Sequence, residues 1–319
     1  MEYQFDSRES WNILMKWKYH LLIVVVVAAG LAAVFSGPAF ITPKYKSFAV
    51  VYPDNIWAYS KESTTEQMIQ IFQSQDIVDS LVKKFQLGKH YDIDPHYKYY
   101  QTELLRQFHE NVSITKTSYE AVKVEVLDKD PDTAKLMADA LVNFFNLKVR
   151  KMQGEKHREQ ANAFKAQMQR EILVMDSIKN RLSQLGTQKG IFEYDYQSQQ
   201  IMMAYLRNIQ GGPEAVNSKE ARRLVKNMGQ YGGELVQLVN LLENEAENYA
   251  KAKYNYENEL RKAVSKVTYT NVITSPYVSD KKAYPIRWLI VLVSVLSAFT
   301  LALLVISFLE KKKRARTEK

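Results

Sequence analysis

Hydrophobic residues gather at both ends of the chain and thin into periodic patterns between them. Leu21 to Ile41 and Trp288 to Leu309 each run without a single charge. A helix needs about 20 apolar residues to cross a bilayer core, so each run predicts one span. Trp17, Tyr19, Phe40, Tyr45, Tyr284 and Trp288 flank the runs where interfacial aromatics belong. A cleaved signal peptide is the other reading of the first run. That run exceeds the usual apolar core of about 7–15 residues and follows a long polar stretch.

Between the runs the period alternates. Tyr45 to Tyr52 is rich in β-branched and aromatic residues and stops at Pro53-Asp54-Asn55, which predicts a strand and turn. Met68, Ile71, Phe72, Ile77, Val78, Leu81, Val82 and Phe85 recur at helical spacing, which predicts one helix from Glu62 to Leu87 capped by Gly88. Asn111 to Thr117 and Glu120 to Leu127 predict a hairpin, with Val122, Val124 and Val126 on one face. Asp130 then suits an N-cap and Pro131 the first helical position. Apolar residues follow at Ala134, Met137, Leu141, Phe145, Val149 and Met152, then at Ala161, Phe164, Met168, Ile172, Met175, Ile178, Leu182 and Leu185. Unbroken, that helix would be about 80 Å long.

Residues 186–217 lose the pattern and hold several glycines and Pro213, which predicts turns with at most a short helix. Asn217-Ser218-Lys219-Glu220 has the spacing of a capping box. It opens a second long helix with a heptad seam at Leu224, Met228, Tyr231, Leu235, Leu238, Leu242, Tyr249, Tyr256, Leu260 and Ala263. Gly229, Gly232 and Gly233 weaken its first turns and predict a kink. Val267 to Ile273 predicts a final strand.

The expected fold is an α/β membrane-proximal base with a long antiparallel α-helical hairpin, plus two transmembrane helices. The expected divisions are an N-terminal segment 1–20, a first span 21–41, base 42–130, hairpin 131–266, final strand and proline-containing linker 267–287, a second span 288–309 and a basic tail 310–319. Narrow seams on long helices bury little surface alone, so the hairpin is expected to meet other copies. Phe164, Met168, Ile172, Leu235, Leu238, Leu242 and Tyr249 are the candidate contact residues.

Composition looks different when divided this way. The 319 residues carry a net charge of +9, with a mean hydropathy of −0.33, which on average suggests a soluble nucleic-acid binder. The final ten residues, however, hold six Lys/Arg against two Glu, while the first twenty balance three against three. The remaining +5 is spread thinly over the middle. The dense tail predicts cytoplasmic termini and an external central domain, despite Lys281, Lys282 and Arg287 on the opposite flank. It also predicts contact with anionic lipid, and nothing in the basic pattern supports nucleic acid. Zero cysteines exclude disulfides, Cys-ligated metals and thiol nucleophiles.

No catalytic, cofactor-binding or metal-ligating set is expected. His90 to His96 is the one segment with clustered metal-capable groups, and it matches no ligand spacing. The acid pairs Asp92/Asp94 and Glu193/Asp195 read as surface charge. Tyr91, Tyr97, Tyr99 and Tyr100, and Tyr194, Tyr196 and Tyr205, fit interfaces better than sugar stacking. Ala29, Ala33 and Gly37, with Ser294 and Ala298, place small residues four apart for close packing of the spans. Pro38 should bend or end the first span. Neither span contains a charge, which argues against ion transport.

Several stretches resemble the chain-length determinant (Wzz) family of polysaccharide co-polymerases. They are Glu9-Ser10-Trp11 before the first span, Tyr45 to Tyr52, Gln73 to Val78 through Leu87, Asp128-Lys129-Asp130-Pro131 with Ala134 and Ala138, and Ser275-Pro276 through Ala283-Tyr284-Pro285. Their order between two terminal spans covers nearly the whole chain. The sequence departs from the pattern in having only Pro276 and Pro285 before the second span. It shows no Gly-x4-Gly-Lys-Ser/Thr loop and no tyrosine in the tail, so a fused tyrosine kinase is not expected. The resemblance implies a non-enzymatic protein of the bacterial inner membrane that forms rings of identical subunits. It would set the modal length of a lipid-linked surface polysaccharide, such as O-antigen or capsule, made by a separate polymerase. The alternatives are a tether in an export machine and a two-span sensor. The sensor would need a cytoplasmic output module.

Overall fold

The computed structural model describes residues 15–57, 61–209 and 218–317. Glu9-Ser10-Trp11 and Asn217 lie outside them. The chain divides into two compact units: unit 1 is Met1–Val149 with Thr268–Lys319, and unit 2 is Arg150–Val267.

Unit 1 begins with helix α1 (Lys18–Phe35) and ends with helix α9 (Arg287–Thr317). Both are long and apolar enough to cross a membrane, α9 over Arg287–Glu310. The first span is shorter than the apolar run. The Ser36 N–H closes on the Ala32 carbonyl at 2.9 Å, and Pro38 cannot extend the ladder. Eighteen residues still reach the lower range for a crossing of about 17–25.

The base is built on β1 (Lys44–Pro53), β2 (Val112–Lys116), β3 (Val122–Asp128), β4 (Thr270–Thr274) and β5 (Lys282–Tyr284). The order is β2-β3-β1-β4, every pairing is antiparallel, and β5 also joins β1. β1 thus has β3 along one edge, from Tyr45 opposite Asp128 to Val51 opposite Val122. Its other edge takes β4 near Pro53 and β5 near Lys44. The sequence pattern does not announce β5, because a three-residue strand has no readable period.

Alternation buries Ala49, Val51, Val122, Val124 and Val126 on one face. Against that face pack α2 (Thr64–Phe72), α3 (Gln75–Phe85), α4 (Leu87–His90), α5 (Tyr100–Asn111) and the first turns of α6 (Pro131–Lys189). The expected single helix 62–87 is therefore two. Ser63 and Glu66 form a reciprocal capping box on α2, and the chain breaks at Gln73-Ser74 before α3. Gln86, at φ 48°, caps α3 in the left-handed conformation rather than Gly88. Gly88 is needed for another reason: a Cβ there would sit 1.8 Å from the Tyr100 hydroxyl.

Asp130 caps α6 as its chemistry predicts, accepting the Thr133 N–H at 2.9 Å. The base reaches further along α6 than residue 130, because Ala134, Met137, Ala138, Leu141, Phe145 and Val149 all belong to its core. Phe145 stacks on Phe72 with centroids 4.3 Å apart.

Unit 2 contains α6 from Arg150 onward, α7 (Tyr194–Ile209) and α8 (Ser218–Val264). α6 and α8 run antiparallel. His157 meets Glu259, Arg181 meets Glu234, and Asn227 donates to the Lys189 carbonyl. Leu185, Ile191, Met228 and Leu235 form a second core, against which Leu182, Ile201, Tyr231 and Leu238 pack. α8 is one continuous helix through Gly229, Gly232 and Gly233. Gly232 makes room for a ring, since a Cβ there would lie 2.4 Å from Tyr194 Cε2.

Phe145 is fully buried, whereas Tyr119 in the β2–β3 turn is 82% exposed. Phe145→Ala should cost about 3–5 kcal/mol in denaturant unfolding of the full chain, through lost burial and a cavity. Tyr119→Ala should stay within about 0.5 kcal/mol. Equal losses would contradict the placement of this core.

Candidate functional site

Three places gather the residues singled out by sequence: the paired apolar helices, the root of the base and the helical seam. α1 and α9 pack along one another. On α1 the covered stripe is Leu21, Val25, Ala28, Ala29, Ala32 and Ser36, and on α9 it includes Ser294, Ala298, Ala302, Ile306 and Glu310. Ala29, Ser294 and Ala298 therefore lie on the mutual faces, as small residues should at a close helix crossing. Ala33 is exposed, and Gly37 is half-buried just beyond the end of α1. Helical geometry places Ala28, Ala29 and Ala32 on the covered side.

The same pair is clasped at one end. Glu310 is buried and accepts from Lys16 Nζ at 2.8 Å and from Trp17 Nε1 at 2.9 Å. Sequence reading placed Glu310 in the basic tail and Trp17 in an aromatic belt, and did not bring them together. The available signal was an acid at the end of one apolar run and a Lys-Trp pair at the matching end of the other.

The family-motif residues surround the base. Ala134 is fully buried in its core, and Asp130 and Pro131 start α6. Hydrogen bonds from Thr133 lead the causes that hold the Asp130 carboxyl below the usual range. Pro276 and Pro285 are both covered where the chain returns toward α9. Between them the Ser47 hydroxyl donates to the Tyr277 carbonyl at 2.8 Å, and Phe48 meets the Tyr277 ring edge-on at 5.7 Å.

The seam of unit 2 differs from the expected one in informative ways. Leu235 is covered within the chain and Leu238 packs beside it, against residues of α6 and α7. Phe164, Met168, Leu242 and Tyr249 are half-buried along the same inner line. Of the seven candidates only Ile172 is exposed. A heptad stripe needs a partner helix, and the returning helix supplies it. At two positions a charged residue takes the place of the apolar one: Glu259 is buried while Leu260 is exposed, and Glu171 is half-buried while Ile172 is exposed.

Both substitutions have partners. Glu259 accepts from Lys262 at 2.7 Å and lies 2.6 Å from buried His157 Nδ1. Burial pulls the Glu259 carboxyl upward, but Lys262 and His157 outweigh it and hold the group below its ordinary value. Glu171 faces Glu245 instead. Their shared hydrogen bond, followed by burial and repulsion, raises the Glu245 carboxyl above its ordinary value. The seam thus carries one ionised contact and one that favours a proton.

Among the described residues no three His, Asp or Glu side chains converge on a possible metal position. His90 joins the buried carboxylate of Asp128 at 2.8 Å. His96 is exposed, and its N–H donates to Asp94 at 2.9 Å.

No family model matches the chain, and no curated protein matches it. Among solved structures, it is similar to a full-length bacterial polysaccharide co-polymerase at 12% identity, covering 95% of this chain and 97% of that one, with a TM-score of 0.46. It is similar to the Shigella flexneri lipopolysaccharide O-antigen chain-length regulator WzzBSF at 11% identity, covering 74% of this chain and 99% of that one, with a TM-score of 0.33. It is also similar to a Wzz dodecamer at 11% identity, covering 74% and 98%, with a TM-score of 0.32.

The two seam carboxylates should respond oppositely to neutralisation. Glu259 is held below its ordinary value of 4.5, so its contribution is present above that pH and lost as the group protonates below it. Glu245 is raised, so it weakens the fold above its ordinary value and stops doing so once protonated. In thermal unfolding at pH 7, Glu259→Gln should lower the midpoint and Glu245→Gln should raise it. Below about pH 4 both differences should shrink. Shifts of the same sign at pH 7 would contradict the assigned partners.

Proposed function

We propose that this chain is an inner-membrane polysaccharide co-polymerase, a non-enzymatic regulator. In this reading it sets the modal length of a surface polysaccharide, such as O-antigen or capsule, that a separate polymerase makes. Copies assemble into a ring, with both termini in the cytoplasm and the central domain in the periplasm. The basic tail rests on anionic lipid.

One observation carries the reading most. β1, the first strand after α1, is paired on its far edge by β4 and β5, the last strands before α9, with a long helical hairpin inserted in the chain between them. This is the order that the family-like stretches at Tyr45–Tyr52, Asp130-Pro131 and Pro276 to Pro285 lead one to expect. Both ends of the central domain are thereby fixed beside paired apolar helices, which suits a protein that frames a membrane-bound process. The exposed apolar residues Ile172, Leu173 and Val174 on α6, and Val236, Val239 and Leu241 on α8, are the surface this reading gives to neighbouring copies.

The test is deletion of the coding sequence followed by electrophoresis of surface polysaccharide. The proposal expects polymer to persist while its modal band distribution is lost. Unchanged banding contradicts it, and complete loss of surface polymer favours a tether of the export machine instead. The detergent-solubilised protein should run as an oligomer, and a monomeric particle would contradict the ring.

A further inference from the structure

A cavity of about 150 Å³ opens in the base where the first residue of β1, the last turn of α5 and the end of β3 meet the segment after α4. Thr42, between α1 and β1, forms part of its wall. The mouth is thus close in the chain to the end of the first apolar helix.

Two of its lining groups are structural. Asp128 is almost wholly buried, and both its oxygens are taken: Oδ2 by His90 Nε2 at 2.8 Å, Oδ1 by the Asp130 N–H at 2.9 Å. Lys129 is tied to the His90 carbonyl at 2.9 Å and to Asp92 at 3.4 Å. Lys44, Asn111, Tyr91 and Asp92 are further polar groups of the lining. The Lys44 ammonium donates to the neutral amide oxygen of Asn111 at 2.5 Å, and among the described residues no carboxylate pairs with it. Asn111 is buried, which leaves its amide held in place. Burial pushes the Tyr91 hydroxyl up to about 12, so it stays a donor at physiological pH. Asp92 is exposed at the rim and accepts.

The lining therefore mixes donors with acceptors. A phosphoryl group needs donors only and would meet the Asp92 carboxylate, whereas sugar hydroxyls donate and accept in turn. The volume lies below the range of about 300–1,000 Å³ typical of sites for larger ligands, so it suits one ring rather than an oligosaccharide. We propose that this cavity is a subsite for a single pyranose ring, bound through its hydroxyls by Lys44, Asn111 and Asp92. The inference rests on the proposed function for its source of sugar: the residues of a growing polysaccharide nearest its lipid anchor pass at this level.

The test uses the full-length protein in detergent and saturation-transfer NMR with free D-glucose, D-galactose and N-acetylglucosamine. At least one sugar should receive transfer at its ring protons. Lys44→Gln and Asp92→Asn should each weaken that binding about tenfold, the scale of one lost charged hydrogen bond. Asp92 is exposed, so particle mass and melting temperature should hold in Asp92→Asn, whereas Lys44 is half-buried and its loss leaves Asn111 without its donor. Asp92→Asn, at the rim, remains informative should Lys44→Gln disturb β1. Absence of transfer with all three sugars, or equal transfer in both variants, overturns the subsite. Displacement of bound sugar by inorganic phosphate at matched concentration also overturns it, as an anion site. Lost banding in the deletion strain without sugar binding removes the subsite and leaves the proposed function. Sugar binding with unchanged banding does the reverse.

Discussion

The pairing of β1 on both edges is the constraint on which the base depends. A strand that follows an apolar helix after a short turn carries a full set of backbone donors and acceptors that must be satisfied. β3 satisfies one edge over seven residue pairs, from Tyr45 to Val51. The other edge is filled only when the chain returns as β4 and β5, more than two hundred residues later. That late closure brings α9 back beside α1. It also turns Ala49, Val51, Val122, Val124 and Val126 into one buried face on which α2, α3, α5 and the start of α6 can pack.

The seam of unit 2 follows a different rule. Its inner line is not purely apolar, and the exceptions are charged groups with partners. A buried carboxylate is costly unless compensated, and Glu259 is compensated by Lys262 and His157. In the Glu171–Glu245 contact a hydrogen bond from Asn248 offsets only part of the upward shift of Glu245. The two contacts therefore act in opposite directions at neutral pH, Glu259 supporting the pair and Glu245 weakening it. Leu235 and Leu185, buried near the α7 end, supply the apolar anchor that such a pair needs.

The elements with strong periods were legible in the sequence. The two apolar runs, β1, the β2–β3 hairpin and both long helices follow from apolar spacing, and the Asp130-Pro131 start follows from capping chemistry. What was not legible depended on contacts far apart in the chain. Gly88 looks like a helix stop, yet it is the room required by the Tyr100 hydroxyl. Leu260 and Ile172 look like seam residues, but the inner places fall to Glu259, which meets His157 across the hairpin, and to Glu171, which meets Glu245. The clasp of Glu310 on Lys16 and Trp17 joins residues almost three hundred positions apart, and no local pattern encodes it. Leu235 and Leu238 lie on a legible seam that packs within the chain, and a heptad states that a helix is met and not whose helix it is.

Closure of β4 onto β1 is open to direct measurement, because the chain has no cysteine of its own. Tyr52 and Asn271 stand opposite one another in the β1–β4 register. Directly paired residues of antiparallel strands lie about 4.5–5.5 Å apart at Cα, within the reach of a disulfide. The protein carrying Tyr52→Cys and Asn271→Cys should form an intramolecular bond on mild oxidation in membranes, seen as a faster-migrating band that reducing agent abolishes. Retention of free thiols, or only intermolecular cross-links, would contradict the closed base on which the account depends.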